Sequence, residues 1–176
     1  MGEYADISLY DFPNDRSQTG IIGKIEKNET GITNVHFAYA LDDDPQYNDR
    51  PLLIGSHHIH PADGTKQTFF NKCYLSFDLR RFRGLGQVTI SNATLNIDNI
   101  QVIGNPQNFA SRIDVKAHKF GFLDVNDFND YSGTIIGSFQ TSQITNGRNL
   151  TLQTAQLKDT LQQSINNCQI IIFGIR

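Results

Sequence analysis

The chain has 176 residues, 38% of them hydrophobic, and a net charge of -3 from 15 Lys and Arg against 18 Asp and Glu. That length suits one domain with a proper core. The slight acidic balance excludes a general nucleic-acid binder, which needs a basic face to displace counterions from phosphate. No apolar run approaches the length of a membrane-spanning helix, and no membrane insertion is expected. The first residues, MGEYADISLYDF, have neither a basic start nor an apolar stretch, and no signal peptide is expected there.

Twelve Phe, 6 Tyr and 14 Gly point to a loop-rich β protein with an aromatic core. Residues 4 to 12, YADISLYDF, alternate weakly and predict a first strand. Pro13-Asn14-Asp15 is turn chemistry. Residues 20 to 26 predict a short strand, Asn28 to Gly31 a turn, and 34 to 40 another strand with Val35, Phe37 and Tyr39 in one phase. A polar loop runs from Asp42 to Pro51. Leu52 to Ile54 is apolar and short. His57 to Lys66, with Pro61 and Asp63-Gly64, predicts a loop.

The next strand, 67 to 79, carries the clearest pattern. Cys73, Leu75, Phe77 and Leu79 alternate with Tyr74, Ser76, Asp78 and Arg80, so the first set faces a core. A basic, glycine-containing loop from Arg80 to Gly86 leads to a strand over 87 to 98. Gly104-Asn105-Pro106 is a break, and Arg112 to Phe122 predicts a strand. Asp124 to Gly133 is a long polar loop holding Phe128 and Tyr131. Thr134 to Ile144 predicts a strand, and Asn146-Gly147 is the strongest hairpin signal in the chain. Thr154 is a plausible N-cap for one helix, in which Leu157, Leu161 and Ile165 recur every four residues. Cys168 to Ile175 is apolar in both phases and should be a central strand. Cys73 and Cys168 are read as buried free thiols, with a disulfide between strands as the alternative.

About ten short strands with turns between them predict an all-β protein. The expected architecture is a jelly-roll-like antiparallel β-sandwich with one short helix near the C-terminus. Residues 1 to 176 form a single domain, in which 1 to 66 either complete the sandwich or form an arm that reaches a neighbour.

The motifs CYLSFDLRRF, VTISNATLNID and RIDVKAHKF, the helix over 155 to 165 and the terminal CQIIIFGIR resemble the DNRLRE-type domain. Leu75, Phe77, Asp78, Leu79, Ile90, Ala93 and Leu95 carry the motif, and the resemblance covers about residues 67 to 176. It implies a non-catalytic jelly-roll module of secreted and cell-surface proteins, some of which bind polysaccharide. Such domains commonly place a Trp in the loop after the fourth motif strand. This chain has no Trp, and Phe128 or Tyr131 is expected in that space.

Candidate sites lie in loops. Asp42, Asp43, Asp44 and Asp49 crowd one loop, and Asp124, Asn126, Asp127 and Asp130 another. Hard oxygen ligands of this kind can hold calcium, although neither set has the spacing of a calcium loop. His57, His58 and His60 with Asp63 offer part of a zinc site, without a second cluster to complete a tetrahedron. Arg80, Arg81 and Arg83 flank Phe82 and form the expected partner contact, for a phosphate, a glycan carboxylate or an acidic surface. There is no nucleophile elbow and no catalytic set. The expectation is therefore not an enzyme but a structural or attachment protein in an assembly, with protein partners, self-association and an address on a virion or extracellular surface. A virion accessory protein (capsid decoration, cement or fibre) fits, and the alternative is a carbohydrate-binding module.

Overall fold

Twelve residues from Gln67 to Asp78 form the longest strand among the described residues, and the other strands of its sheet assemble around it. The structure, a computed structural model, describes residues 22–28, 33–38, 54–82, 85–98, 100–118 and 123–175. The strand expected over 4 to 12 and the acidic loop from Asp42 to Pro51 lie outside the described residues.

The strands are β1 (Ile22–Asn28), β2 (Thr33–Ala38), β3 (Gly55–Ile59), β4 (Gln67–Asp78), β5 (Leu95–Ile97), β6 (Arg112–His118), β7 (Thr134–Gln140), β8 (Leu150–Leu152) and β9 (Ile170–Ile175), with one helix, α1 (Ala155–Asn166). Seven strands make one sheet, in the order β2-β1-β4-β9-β6-β7, with β3 also on β4; β5 and β8 make a second, two-stranded sheet. Every pairing is antiparallel. The fold is all-β and sandwich-like, with uneven layers and, among the described residues, a single α-helix near the C-terminus.

One edge of β4 carries β1. The other carries β9 opposite Cys73 to Asp78 and β3 opposite Gln67 to Asn71, end to end. The large sheet is buried on both sides. Its first face presents Leu75, Leu79, Val115, Ile171, Phe173 and Ile175 to Leu95 and Leu152 of the small sheet and to Leu157 and Ile165 of α1. Its second face presents Ile25, Tyr74 and Ile172 to Leu123 and Phe128. Strand β9 sits between β4 and β6 and is buried from Ile171 to Ile175, as its unbroken apolar run predicts.

Helix α1 follows its sequence signals. Thr154 has extended backbone, and its Oγ1 accepts from the amide of Leu157 at 3.0 Å. Leu157 and Ile165 are buried, and Leu161 packs beside them.

Several boundaries differ from the sequence reading, each for a tertiary reason. His57 was placed in a loop but lies within β3, because the long β4 offers backbone partners as far as Gln67. The strand expected over 87 to 98 is reduced to Leu95–Ile97. Before it, α1 supplies the bonds a ladder would make: Gln162 accepts from the amide of Ile90 at 2.8 Å and donates to the carbonyl of Val88 at 2.9 Å. Strand β7 ends at Gln140 in a 3-10 turn over Thr141–Gln143. Asn146-Gly147 makes a turn but no hairpin, since β7 pairs with β6 and β8 with β5. The turn instead clasps residues 100 to 102: the Gly147 amide, at φ 71°, donates to the Ile100 carbonyl, and Asn146 Oδ1 accepts from the Val102 amide.

Neither cysteine forms a disulfide; Cys73 is buried and Cys168 half-buried. Cys73 pairs with Ile175 at one end of β9, and Cys168 precedes the other end. At roughly 3.3 Å per residue they are about 20 Å apart, far beyond disulfide reach.

Candidate functional site

The second face of the large sheet is lined by residues in the phase opposite to the core: Lys72 and Tyr74 on β4, Lys116 and His118 on β6. The segment from Asp124 to Gly133 lies over them. Lys72 Nζ donates to the Phe128 carbonyl. It also sits 4.4 Å from the Phe128 ring centroid and 4.6 Å from that of Tyr131. Tyr74 donates its hydroxyl to the Asp127 carbonyl at 3.1 Å, and Lys116 donates to the Tyr131 carbonyl at 3.1 Å. Three side chains of the sheet thus hold the backbone of one loop.

The carboxylates of that loop turn inward onto its own amides. Asp124 Oδ1 accepts from the Asn126 amide at 2.6 Å, and Asp127 Oδ2 accepts from the Asp124 amide at 2.8 Å, a reciprocal capping box around the 3-10 turn Val125–Asn129. Asp130 Oδ1 accepts from the Ser132 amide at 2.7 Å. Burial pushes the Asp127 carboxyl above its ordinary value; the Asp124 amide opposes this, and the charges of Asp124 and Asp130 add to it.

The His118 ring is buried against these groups. Its Nδ1 lies 3.8 Å from Asp130 Oδ2, and its ring meets Tyr74 edge-on, with centroids 6.1 Å apart. Two glycines make room for it. A Cβ at Gly133 would stand 2.5 Å from His118 Cε1, and one at Gly174 2.9 Å from Nε2.

Clefts open on the described surface, and two of them bear on the site. The first, of about 210 Å³, lies where β3 parts from β6. Strand β6 pairs with β9 only from Val115 onward, while β3 takes the edge of β4 below Asn71. The space left between them is walled by Phe70, Ile113 and Phe128, and its lining is almost wholly apolar. Ile54 and Phe109 edge it, 37% and 59% exposed, with Lys72 and Arg112 beside them. Arg112 is held by Asp114, Nε to Oδ1, at 3.0 Å. The second cleft, of about 420 Å³, mixes polar and apolar groups and lies between α1 and the adjoining ends of β6 and β7.

The residues singled out from sequence fall elsewhere. Arg80 reaches back to Asp78, with its amide, Nε and Nη2 each donating to that carboxylate at 2.9 Å. Phe82 is half-buried against the core, in the 3-10 turn Arg80–Phe82. Arg81 belongs to that turn too, and Arg83 lies outside the described residues. His57 and His58 are on β3, and His58 Nδ1 lies 3.0 Å from Thr68 Oγ1. His60 is exposed beyond the strand. Asp63 accepts from the amide and hydroxyl of Thr65 at 2.9 and 2.7 Å, which holds its carboxyl below the ordinary value. Among the described residues, no three His, Cys, Asp or Glu come together to hold a metal ion. Asp42, Asp43 and Asp44 lie outside the described residues. Of the two aromatics proposed for the loop, Phe128 is buried and Tyr131 is 66% exposed.

Sequence reasoning passed over Lys72, Lys116, His118, Phe109 and Arg112. Lys72 and Tyr74, like Lys116 and His118, stand two apart in the non-core phase of their strands. That phase was legible; the adjacency of the strands through β9 was not.

Compared with known proteins, the chain matches no family model and no curated sequence.

Proposed function

We propose that the chain is a non-enzymatic structural or attachment module that acts through its surfaces within an assembly, such as a virion accessory protein of the capsid-decoration, cement or fibre kind. The observation that carries this reading is the apolar cleft between β3 and β6. A concave apolar site edged by an exposed Phe suits the anchoring side chain of a protein partner, including a second copy of the chain. The resemblance to the DNRLRE-type domain stands on the same footing, as a proposal. Its motif residues Leu75, Leu79 and Leu95 are buried, and Phe77, Ile90 and Ala93 pack against them, so it speaks to the module's fold.

Light scattering on the purified chain, alone and with its parent particle, tests the reading. The expected result is association that Phe109→Asp abolishes without changing the melting transition. A strict monomer with no affinity for a particle would overturn it. A carbohydrate-binding module is the second reading, favoured by Tyr131, an exposed ring with Lys72 on one face. A glycan array in which no sugar binds would remove it.

A further inference from the structure

We infer that the cleft of mixed polar and apolar lining between α1 and the ends of β6 and β7 receives a basic side chain, arginine by preference, from a protein partner. The helix presents Gln156, Asp159, Thr160 and Gln163 to this cleft. The spacing i, i+3, i+4, i+7 puts them on one face, opposite the stripe of Leu157, Leu161 and Ile165 that joins the core. Ser132, Thr134 and His118 line it too, and Ala117, Ile170 and Ile171 form its apolar part.

The chemistry of this lining selects its guest. Asp159 brings the cleft's carboxylate, and no Lys or Arg lines it among the described residues. The Nδ1 of His118, in the same lining, lies 3.8 Å from Asp130 Oδ2, so that imidazole faces a carboxylate of its own and Asp159 carries the cleft's negative charge. The two glutamine amides and the hydroxyls supply further acceptors. A flat guanidinium with five donors matches a carboxylate flanked by acceptors, and its aliphatic stem suits an apolar base. The volume, about 420 Å³, falls in the range of sites that enclose a small group.

This cleft is separate from the apolar one, so the inference survives failure of the Phe109 test; it needs only that the module contacts a protein. The full-length chain, labelled with nitrogen-15, is titrated with N-acetyl-arginine amide, N-acetyl-lysine amide, N-acetyl-norleucine amide and glucose. Arginine should shift the amides of 132 to 134 and 156 to 164 most, lysine less, and the two neutral probes not at all. Asp159→Asn, at an exposed position, should keep the spectrum elsewhere and weaken arginine about tenfold through loss of a charge-assisted pair. Phe109→Asp should leave the arginine response unchanged. No shift with arginine, an equal response in Asp159→Asn, or larger shifts with norleucine amide or glucose would each overturn the assignment.

Discussion

The two faces of the large sheet are both buried, yet they are built differently. The first has an apolar centre: Leu75, Val115, Ile171, Phe173 and Ile175 meet the small sheet and α1. The second mixes Ile25 and Ile172 with Lys72, Tyr74, Lys116 and His118 beneath a single loop. Apolar burial is non-directional and scales with area, so the first face supplies stability and tolerates volume-conserving exchange. The contacts of the second are directional. They contribute little net energy, but leaving one unmade is costly, and so they fix where the loop sits.

The contrast can be broken most sharply at Phe173, 2% exposed on the first face. Phe173→Ala should cost about 3–5 kcal/mol, read as a lower urea midpoint with unchanged slope. A loss under about 1 kcal/mol would show that this face is not the main core.

On the second face, Gly133→Ala drives a methyl into the His118 ring and should cost about 1–3 kcal/mol, as overpacking does. Adding His118→Ala to Gly133→Ala should recover part of that loss. A double-mutant cycle with coupling below about 0.5 kcal/mol would mean the two sites do not meet.

Lys72→Met removes the bond to the Phe128 carbonyl and the contacts with two rings. It should cost about 1–2 kcal/mol and raise amide exchange across 124 to 133 while sparing β9. Uniformly faster exchange would contradict a local clamp.

The smallest effect concerns pH. The Asp127 carboxyl is raised by burial from its ordinary value of 3.8, so folding favours its protonated form. Its contribution is greatest below 3.8 and is lost as pH rises through the elevated value. Asp127→Asn should therefore flatten stability against pH in that window and change little near neutrality. Urea midpoints between pH 3 and 7 give the test, and an unaltered profile would refute the coupling.

How much was legible in the sequence follows from the range of each interaction. The helix, its Thr154 cap and the central β9 were legible, because a cap and an apolar run are local. Segment 88 to 94 was misread, because Val88 and Ile90 bond to Gln162, more than seventy residues away. Asn146-Gly147 gave a turn as its residues require, yet which strands flanked it depended on distant partners. Asp124 and Asp127 read from sequence as a polar turn that could also offer oxygens to calcium, because sequence shows donor types without direction. In the folded chain each cap accepts an amide of its own loop.

The candidate sites divide in the same way. The polar stripe of α1 is written in its spacing, but the cleft it faces exists only because β6 and β7 end opposite it. The apolar cleft is wholly tertiary: it exists because β9 and β3 share one edge of β4 while β6 follows β9 alone. Composition and period-two alternation determined an antiparallel β protein with one helix, since those patterns act between near neighbours. The pairing of strands decided which polar residues met, because burial and registry are properties of contacts between distant segments.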